Sequence, residues 1–249
     1  MKTLLYSDLT PFYRLLDPLE DHADEGEAFG ELFESATDVR SALLELGAGA
    51  GNGAYYLKSR FDRAVLTDLS PSMLGLSERI NGDCDHRVGD MRTLRLGQTF
   101  DCVLVHDAIS YLTSEDDLAA CFTTAYEHLR PGGAALFVPD CTKESFCEWH
   151  EDHAGDDGLR SLRALSWSHD PDPSDDTHLV EFAFLLRENG EVRAVHDTHL
   201  CGLFAEDTWG ARLRGAGFNV RPVARPLPEE YARSPFTERM FLATRPPHT

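Results

Sequence analysis

Between residues 42 and 140 short apolar runs alternate with amphipathic runs punctuated by glycine and proline, and this alternation constrains the fold more than any other feature of the chain. ALLEL (42–46) reads as a strand and NGAYYLKSRF (52–61) as a helix. AVLTDLS (64–70) is a second strand, followed by a helix over PSMLGLSERI (71–80). Ser70 opens that helix, and Pro71 sits in its first turn, where a missing N–H costs nothing. HRVGDM (86–91) is a short third strand. FDCVLVHD (100–107) is a fourth, apolar at its centre as a strand buried on both faces must be. In SEDDLAACFTTAYEHL (114–129), Ser114 can cap a helix whose Leu118, Cys121, Phe122, Ala125 and Leu129 share one face. RPGG stops it, and AALFVPD (134–140) is a fifth strand. Strands alternating with helices imply an α/β fold built on a parallel doubly wound sheet.

After Asp140 the rhythm changes. LRALSWSH, HLVEFAFLLRENG and EVRAVHDTHLCGLF are long strand candidates with no helix between them, and the Asn-Gly in RENGEV is a hairpin signal. We expect an antiparallel insertion over 141–204, with DPDPSDD as an exposed loop. The ligand-binding core falls to 38–140; an N-terminal lid or helix is expected over 1–37. The last helix (AEDTWGARLRGAGF) and strands (NVRPV, TERMFLATRP) over 205–249 complete the core sheet.

At 249 residues the chain can bury one full α/β core with an elaboration. A net charge of −20 disfavours nucleic acid as a partner, because phosphate binding needs a basic face. No apolar run approaches the roughly 20 residues that span a bilayer, so no membrane role is expected. The N-terminus meets Asp and Pro too soon for a signal peptide, and a cytoplasmic protein is expected. The six cysteines form no CxxC pair and read as free thiols, mostly buried. The two HxxH pairs, His150/His153 and His196/His199, lack an HExxH frame or a cysteine in register, so no metal site is expected.

The glycine turn in LELGAGAGNGAYYL (44–57) has three readings. A phosphate-cradling loop would need GxxxxGK[ST], and no Lys or Ser/Thr follows. A dinucleotide fingerprint can be laid on Gly49, Gly51 and Ala54, with Asp68 on a ribose hydroxyl. The third reading, ExGxGxG as Glu45, Gly47, Gly49 and Gly51, sets a carboxylate before the turn. It would repel a pyrophosphate but suit an ammonium group. S-adenosylmethionine (SAM) has that ammonium, a ribose for Asp68 and no phosphate.

In this third form the chain resembles the class I SAM-dependent methyltransferases. The likeness runs through LELGAGAG, the acidic residue in LTDLSPSML, VGDM, FDCVLVHDAISYL and LRPGG, in the family's order over roughly residues 40–140. It implies a Rossmann-like seven-stranded sheet with helices on both faces, an antiparallel β insertion after strand five, and SAM as cofactor. It implies that Glu45 and the backbone of Gly47, Ala48 and Gly49 line the methionine end. Asp68 would hold the ribose hydroxyls, Leu69 would cover the adenine, Asp90 would accept from its amine and the Met91 backbone would meet a ring nitrogen. Met73 and Tyr13 complete the expected cofactor contacts, with Tyr6 and Arg14 beside Tyr13 in the lid.

The resemblance further implies methyl transfer to a nitrogen or oxygen of a small-molecule acceptor. Such transfer is an in-line displacement in which alignment does most of the work, helped by a positioned base. His106 and Asp107, at the end of strand four where the crevice opens, are the first candidates for the methyl-transfer face, and His106 also for cofactor contact. In HDTHLCGLF, side chains alternate, so Asp197 and His199 share a face and His196 takes the other; His199 is the third catalytic candidate. Two alternatives stand beside this reading: a SAM-binding module without transferase activity, and an NAD(P)-dependent oxidoreductase.

Overall fold

Residues 3–224 and 239–247 are described by the computed structural model. An N-terminal arm carries a one-turn helix α1 (Tyr13–Leu16) and leads into α2 (Ala23–Ala36). The alternating core follows as β1 (Ala42–Leu46), α3 (Asn52–Leu57), β2 (Arg63–Asp68), α4 (Pro71–Ser77), β3 (Asp85–Val88), β4 (Phe100–His106), α5 (Glu115–His128) and β5 (Leu129–Val138). Four long strands come next: β6 (Trp149–Asp156), β7 (Arg160–His169), β8 (Thr177–Glu188) and β9 (Glu191–Gly202). The chain returns to the core with α6 (Glu206–Gly215), β10 (Asn219–Ala224) and β11 (Arg239–Thr244).

The core strands form one seven-stranded sheet in the order β10-β11-β5-β4-β1-β2-β3. β1 pairs in parallel with both β2 and β4, while β11 runs antiparallel between β5 and β10. The strand order therefore reverses at β1, and a crevice opens between the carboxyl ends of β1 and β4, the position where open α/β sheets bind ligands. All five residues of β1 and all seven of β4 are buried. On one face Leu44, Leu46, Val103 and Val105 pack with Phe122, Trp209 and Phe218 under α5 and α6; on the other Leu43, Leu66 and Leu104 pack with Phe29, Phe33 and Leu57 under α2 and α3.

The capping chemistry read from the sequence is present: Ser70 Oγ accepts from Met73 N and Ser114 Oγ from Asp117 N. Two expectations shift. β5 begins at Leu129 and absorbs the RPGG segment, with a register shift against β4 between Phe100 and Cys102. β3 ends at Val88, although the N–H of Gly89 still donates to Asp68 O on β2. Thr237 and Glu238 of the expected last strand, and Lys2, lie outside the described residues.

The insertion is a separate antiparallel sheet, β6-β7-β8-β9. Its β8–β9 turn has positive φ at Asn189 (53°) and Gly190 (81°), the pairing a type I′ hairpin demands. β6 went unread as a strand. Its sequence WHEDHAGD is polar, and it forms an edge strand whose residues alternate between half-buried and exposed. The sheet's inner face is covered by the N-terminal arm: Leu5, Leu9 and Phe12 pack with Leu162, Ala164, Phe184 and Leu186. Cys102, Cys121, Cys141 and Cys201 are buried, Cys84 is half-buried and Cys147 exposed, all as free thiols. No helix of the described residues is long and apolar enough to cross a membrane.

Phe122 is the hub of the α5–α6 side, its ring 4.8 Å from Phe137 and 5.8 Å from Trp209. Phe122→Ala is expected to lower the unfolding free energy by about 3–5 kcal/mol, read by urea denaturation.

Candidate active site

The glycine turn is built by the strands on either side of it. The N–H groups of Gly47 and Ala48 both donate to Thr67 O at 2.8 Å, tying the end of β1 to β2. Gly47 has φ +78°, and a Cβ there would run into Ala108 and Met91. Gly51 has φ +75° and sits against Ser77 and Asn81, whose Nδ2 donates to Gly51 O at 2.9 Å. Side chains are excluded from these positions by conformation and by space together.

Carboxylates ring the turn. Glu45 is buried among the α2 and α3 packing, and its Oε2 has no hydrogen-bond partner. Burial raises its pKa to about 7, an effect the nearby His106 partly offsets. Asp68, at the end of β2, accepts from Gly49 N (2.9 Å) through one oxygen and from Ser70 N (2.7 Å) through the other. Burial pushes its pKa up against the pull of those two donors. Leu69 is 68% exposed beside it. Ala48 and Met73 are buried, Met73 packing with Ala50 and Leu76 against the rings of Tyr6 and Tyr13. Met91 lies half-buried over Gly47.

These residues fit SAM on the structure's own terms. An orphaned buried carboxylate oxygen calls for a cation, and the ammonium of a methionine moiety would supply one; the side-chain-free turn gives that moiety room. Asp90 has partners within the chain. Its carboxylate is gripped by Arg92, with Nη2 at 2.6 Å and Nε at 3.0 Å, and Arg92 reaches on to Asp117 at 3.0 Å. The guanidinium holds Asp90 below the usual carboxylate range.

His106 also departs from the expectation of a base at the methyl-transfer face. It points toward α2, its ring 5.0 Å from Phe29, with Nε2 3.1 Å from Glu25 Oε2 and 2.8 Å from Asp107 Oδ1. Burial opposes its charge, but the two carboxylates outweigh it and hold an imidazolium, which has no lone pair to take a proton. Glu25 on α2, which the sequence reading missed, is thus a partner of His106. Asp107 directly follows β4, in a left-handed conformation (φ 46°) that a residue with a side chain adopts only when its surroundings enforce it.

Asp197 and His199 share the buried face of β9, as alternation required, while His196 is exposed and bonds Glu181 at 2.8 Å. His199 Nε2 lies 3.0 Å from Asp197 Oδ2, and that oxygen also accepts from Leu5 N at 2.9 Å. His199 Nδ1 lies 2.8 Å from Tyr111 Oη, and Tyr111 Oη lies 2.7 Å from Tyr6 Oη. Tyr111 was missed by the sequence reading, although it stands in the DAISYL segment after β4; Tyr6 figured only as a neighbour of Tyr13. The arm is fastened to the cofactor side as well. Ser70 Oγ donates to Tyr6 O at 2.6 Å, and Arg14 donates to Asn52 Oδ1 at 2.8 Å and to Ala50 O at 3.0 Å. Arg14 thereby braces the glycine turn.

Comparison with known proteins agrees with this geometry. Residues 43–133 match the family model described as a methyltransferase domain. The chain is 30% identical over 205 residues to the dTDP-3-amino-3,4,6-trideoxy-alpha-D-glucopyranose N,N-dimethyltransferase of Streptomyces venezuelae, covering 81% of this chain and 85% of that protein. The crystal structure of Streptomyces venezuelae DesVI superposes with a TM-score of 0.81 at 25% identity, covering 96% of this chain and 98% of that one. SAM-bound CalS10, an amino pentose methyltransferase from Micromonospora echinaspora, has the same fold, with a TM-score of 0.77 at 22% identity over 98% of this chain and 99% of that one. The sheet order, the glycine turn and these likenesses converge: the chain belongs to the class I SAM-dependent methyltransferases, enzymes that carry a methyl group from SAM to a nitrogen or oxygen of a small-molecule acceptor.

Proposed function

We propose that the acceptor atom is the nitrogen of an amine, carried on an aminodeoxy sugar. The observation behind this reading is the charge of the acceptor side. Burial is the main cause of the raised pKa of Tyr6 and Tyr111; Asp140, after the carboxyl end of β5, adds to both, and Asp107, after β4, adds to that of Tyr6. A crevice walled by carboxylates and phenols draws in an ammonium group and offers its N–H donors acceptors. Sugar N,N-dimethyltransferases among the relatives, from Streptomyces venezuelae and Saccharopolyspora spinosa, support the choice of nitrogen over oxygen.

Bound SAM supplies an electrophilic methyl group on a cationic sulfur. The chain's part is to hold and align. Glu45 pairs with the ammonium of the methionine moiety, and the backbone of Gly47, Ala48 and Gly49 lies along it. Asp68, already fixed by Gly49 and Ser70, keeps lone pairs for the ribose hydroxyls. Leu69 covers the adenine, and Met73, Met91 and Tyr13 close around the rest. Asp107 and Asp140 steer the amine toward the same crevice, so that alignment carries most of the rate.

Incubation with SAM and dTDP-3-amino-3,4,6-trideoxy-alpha-D-glucopyranose is expected to release S-adenosylhomocysteine and give a product heavier by one or two methyl groups. Methylation of the corresponding 3-hydroxy sugar but not of the amine would overturn the reading.

Asp68→Ala is expected to weaken S-adenosylhomocysteine binding about tenfold or more, measured by calorimetry. Glu45 gives a pH test. In the unliganded protein its carboxyl keeps a proton up to about pH 7, whereas the unfolded chain releases it near the ordinary carboxylate value. The folded state binds more protons in that window, so its contribution to stability falls as pH rises through it. Affinity for the ammonium moves the opposite way and strengthens from about pH 6 to about pH 8 as the carboxylate forms. In Glu45→Gln both dependences are expected to flatten, with ligand affinity down about tenfold at the alkaline end.

A further inference from the structure

The hydrogen-bond chain from Asp197 to Tyr6 has a direction, and the direction can be derived. Asp197 Oδ2 receives the main-chain N–H of Leu5, and a carboxylate only accepts, so the His199 nitrogen facing the same oxygen must bring a proton to it. The opposite tautomer would set the bare Nε2 lone pair against that oxygen. His199 is therefore protonated at Nε2 and bare at Nδ1. Burial lowers its pKa, against the partial pull of Asp197, and keeps it neutral at rest. Nδ1 can only accept, so Tyr111 gives it the phenolic proton; the Tyr111 oxygen then accepts from Tyr6. Every donor in the chain points toward Asp197. The one group left with an acceptor and no further donor of the chain to satisfy it is the Tyr6 oxygen, at the end nearest the cofactor turn.

Tyr6 occupies that end for structural reasons. Its ring packs against Ala50 and Met73, its carbonyl is tied to Ser70, and its edge meets Tyr111 at 5.5 Å between centroids. Tyr6 is half-buried, whereas the side chains of His199 and Asp197 are 2% and 6% exposed. The relay thus runs from the half-buried Tyr6 to a pair that is almost wholly buried.

We infer that Tyr6 is a catalytic residue that takes the proton of the acceptor's ammonium group, and that Tyr111 and His199 pass the charge inward to Asp197. The inference rests on the amine reading above. The step balances without any other reactant. The ammonium N–H bond breaks and its electron pair stays on nitrogen; Tyr6 gains that proton and gives its own to Tyr111, which gives its own to His199 Nδ1. The result is a neutral amine with the lone pair that transfer needs, two intact phenols, and an imidazolium beside a carboxylate. Neither tyrosine becomes a free phenolate, which matters because burial pushes both phenols well above the ordinary tyrosine range. The groups facing His199 are Asp197 on β9, Glu181 on β8, Tyr111 after β4 and Tyr6 on the arm. Those facing Tyr6 are Tyr111, Tyr13, Asp107, Asp140 and Cys201. The carboxylates of both sets favour the imidazolium once the proton has moved.

Two measurements test this. The first needs no acceptor: nitrogen-15 NMR of His199 in the S-adenosylhomocysteine complex is expected to show a protonated Nε2 and a bare, hydrogen-bonded Nδ1, with the Nδ1 resonance shifting in Tyr111→Phe. A protonated Nδ1 would overturn the relay. The second is the pH dependence of kcat/KM with the dTDP-3-amino sugar, S-adenosylhomocysteine binding serving as the check on folding. Tyr6→Phe and Tyr111→Phe are expected to lose roughly 100-fold near pH 7 and to recover toward wild type as pH rises past the amine's own pKa, where no proton remains to be taken. A loss equal at every pH, or none, would reduce both residues to packing. Absence of wild-type turnover with this sugar counts against the acceptor reading, and the nitrogen-15 result then decides the relay by itself.

Discussion

The four-stranded sheet has an apolar inner face and no helix of its own to bury it. That constraint organises the molecule. Leu5, Leu9 and Phe12 of the N-terminal arm fill the space, and in doing so they carry Tyr6 and Tyr13 onto Ala50, Met73 and Leu76 beneath the glycine turn. One short segment is therefore core for the insertion and wall for the crevice. Its fastenings lie on both sides: Leu5 N to Asp197 on the insertion, and Tyr6 O to Ser70 at the start of α4. The hydrophobic effect supplies the adhesion, and the hydrogen bonds fix the register.

The two halves of the crevice solve opposite electrostatic problems. On the cofactor side, Glu45 is buried with an unpartnered oxygen and stays near neutrality in pKa until a cation arrives. On the acceptor side, Asp197 Oδ2 already holds two partners, Leu5 N and His199 Nε2, and the proposed relay would bring charge to it through His199. His106, although nearer the crevice, already spends its charge on Asp107 and Glu25. The two rings thus differ in their partners: His106 stands between two carboxylates, His199 between one carboxylate and a phenol.

Much of the fold was legible because its signals are local. Ser70-Pro71 and Ser114 announce helix starts, Asn189-Gly190 announces a hairpin, and the unbroken apolar run of β4 announces a strand buried on both faces. The glycine turn was legible for the same reason, since Glu45, the glycines and Asp68 lie within one strand–turn–helix–strand unit. β6 was not, because an edge strand that buries only half of each residue needs little apolar sequence. The roles of His106 and Asp90 were hidden by partners: Glu25 lies on another helix, and Arg92 lies in a loop whose path sequence does not give. The relay was hidden most completely. Tyr6, Tyr111 and His199 are separated by 105 and 88 positions, and only the docking of the arm between two sheets brings them into one line.

The bond from Leu5 to Asp197 is made by main chain and not by side chain. Substitution at position 5 can therefore drift among apolar residues without touching it, while a change in length cannot. Inserting or deleting a single residue between Tyr6 and the 3₁₀ turn at Thr10–Phe12 would put Leu9 and Phe12 out of step with the anchors of Leu5 and Tyr6. The arm is in this sense a ruler: its composition is free to vary within an apolar palette, and its count of residues is not.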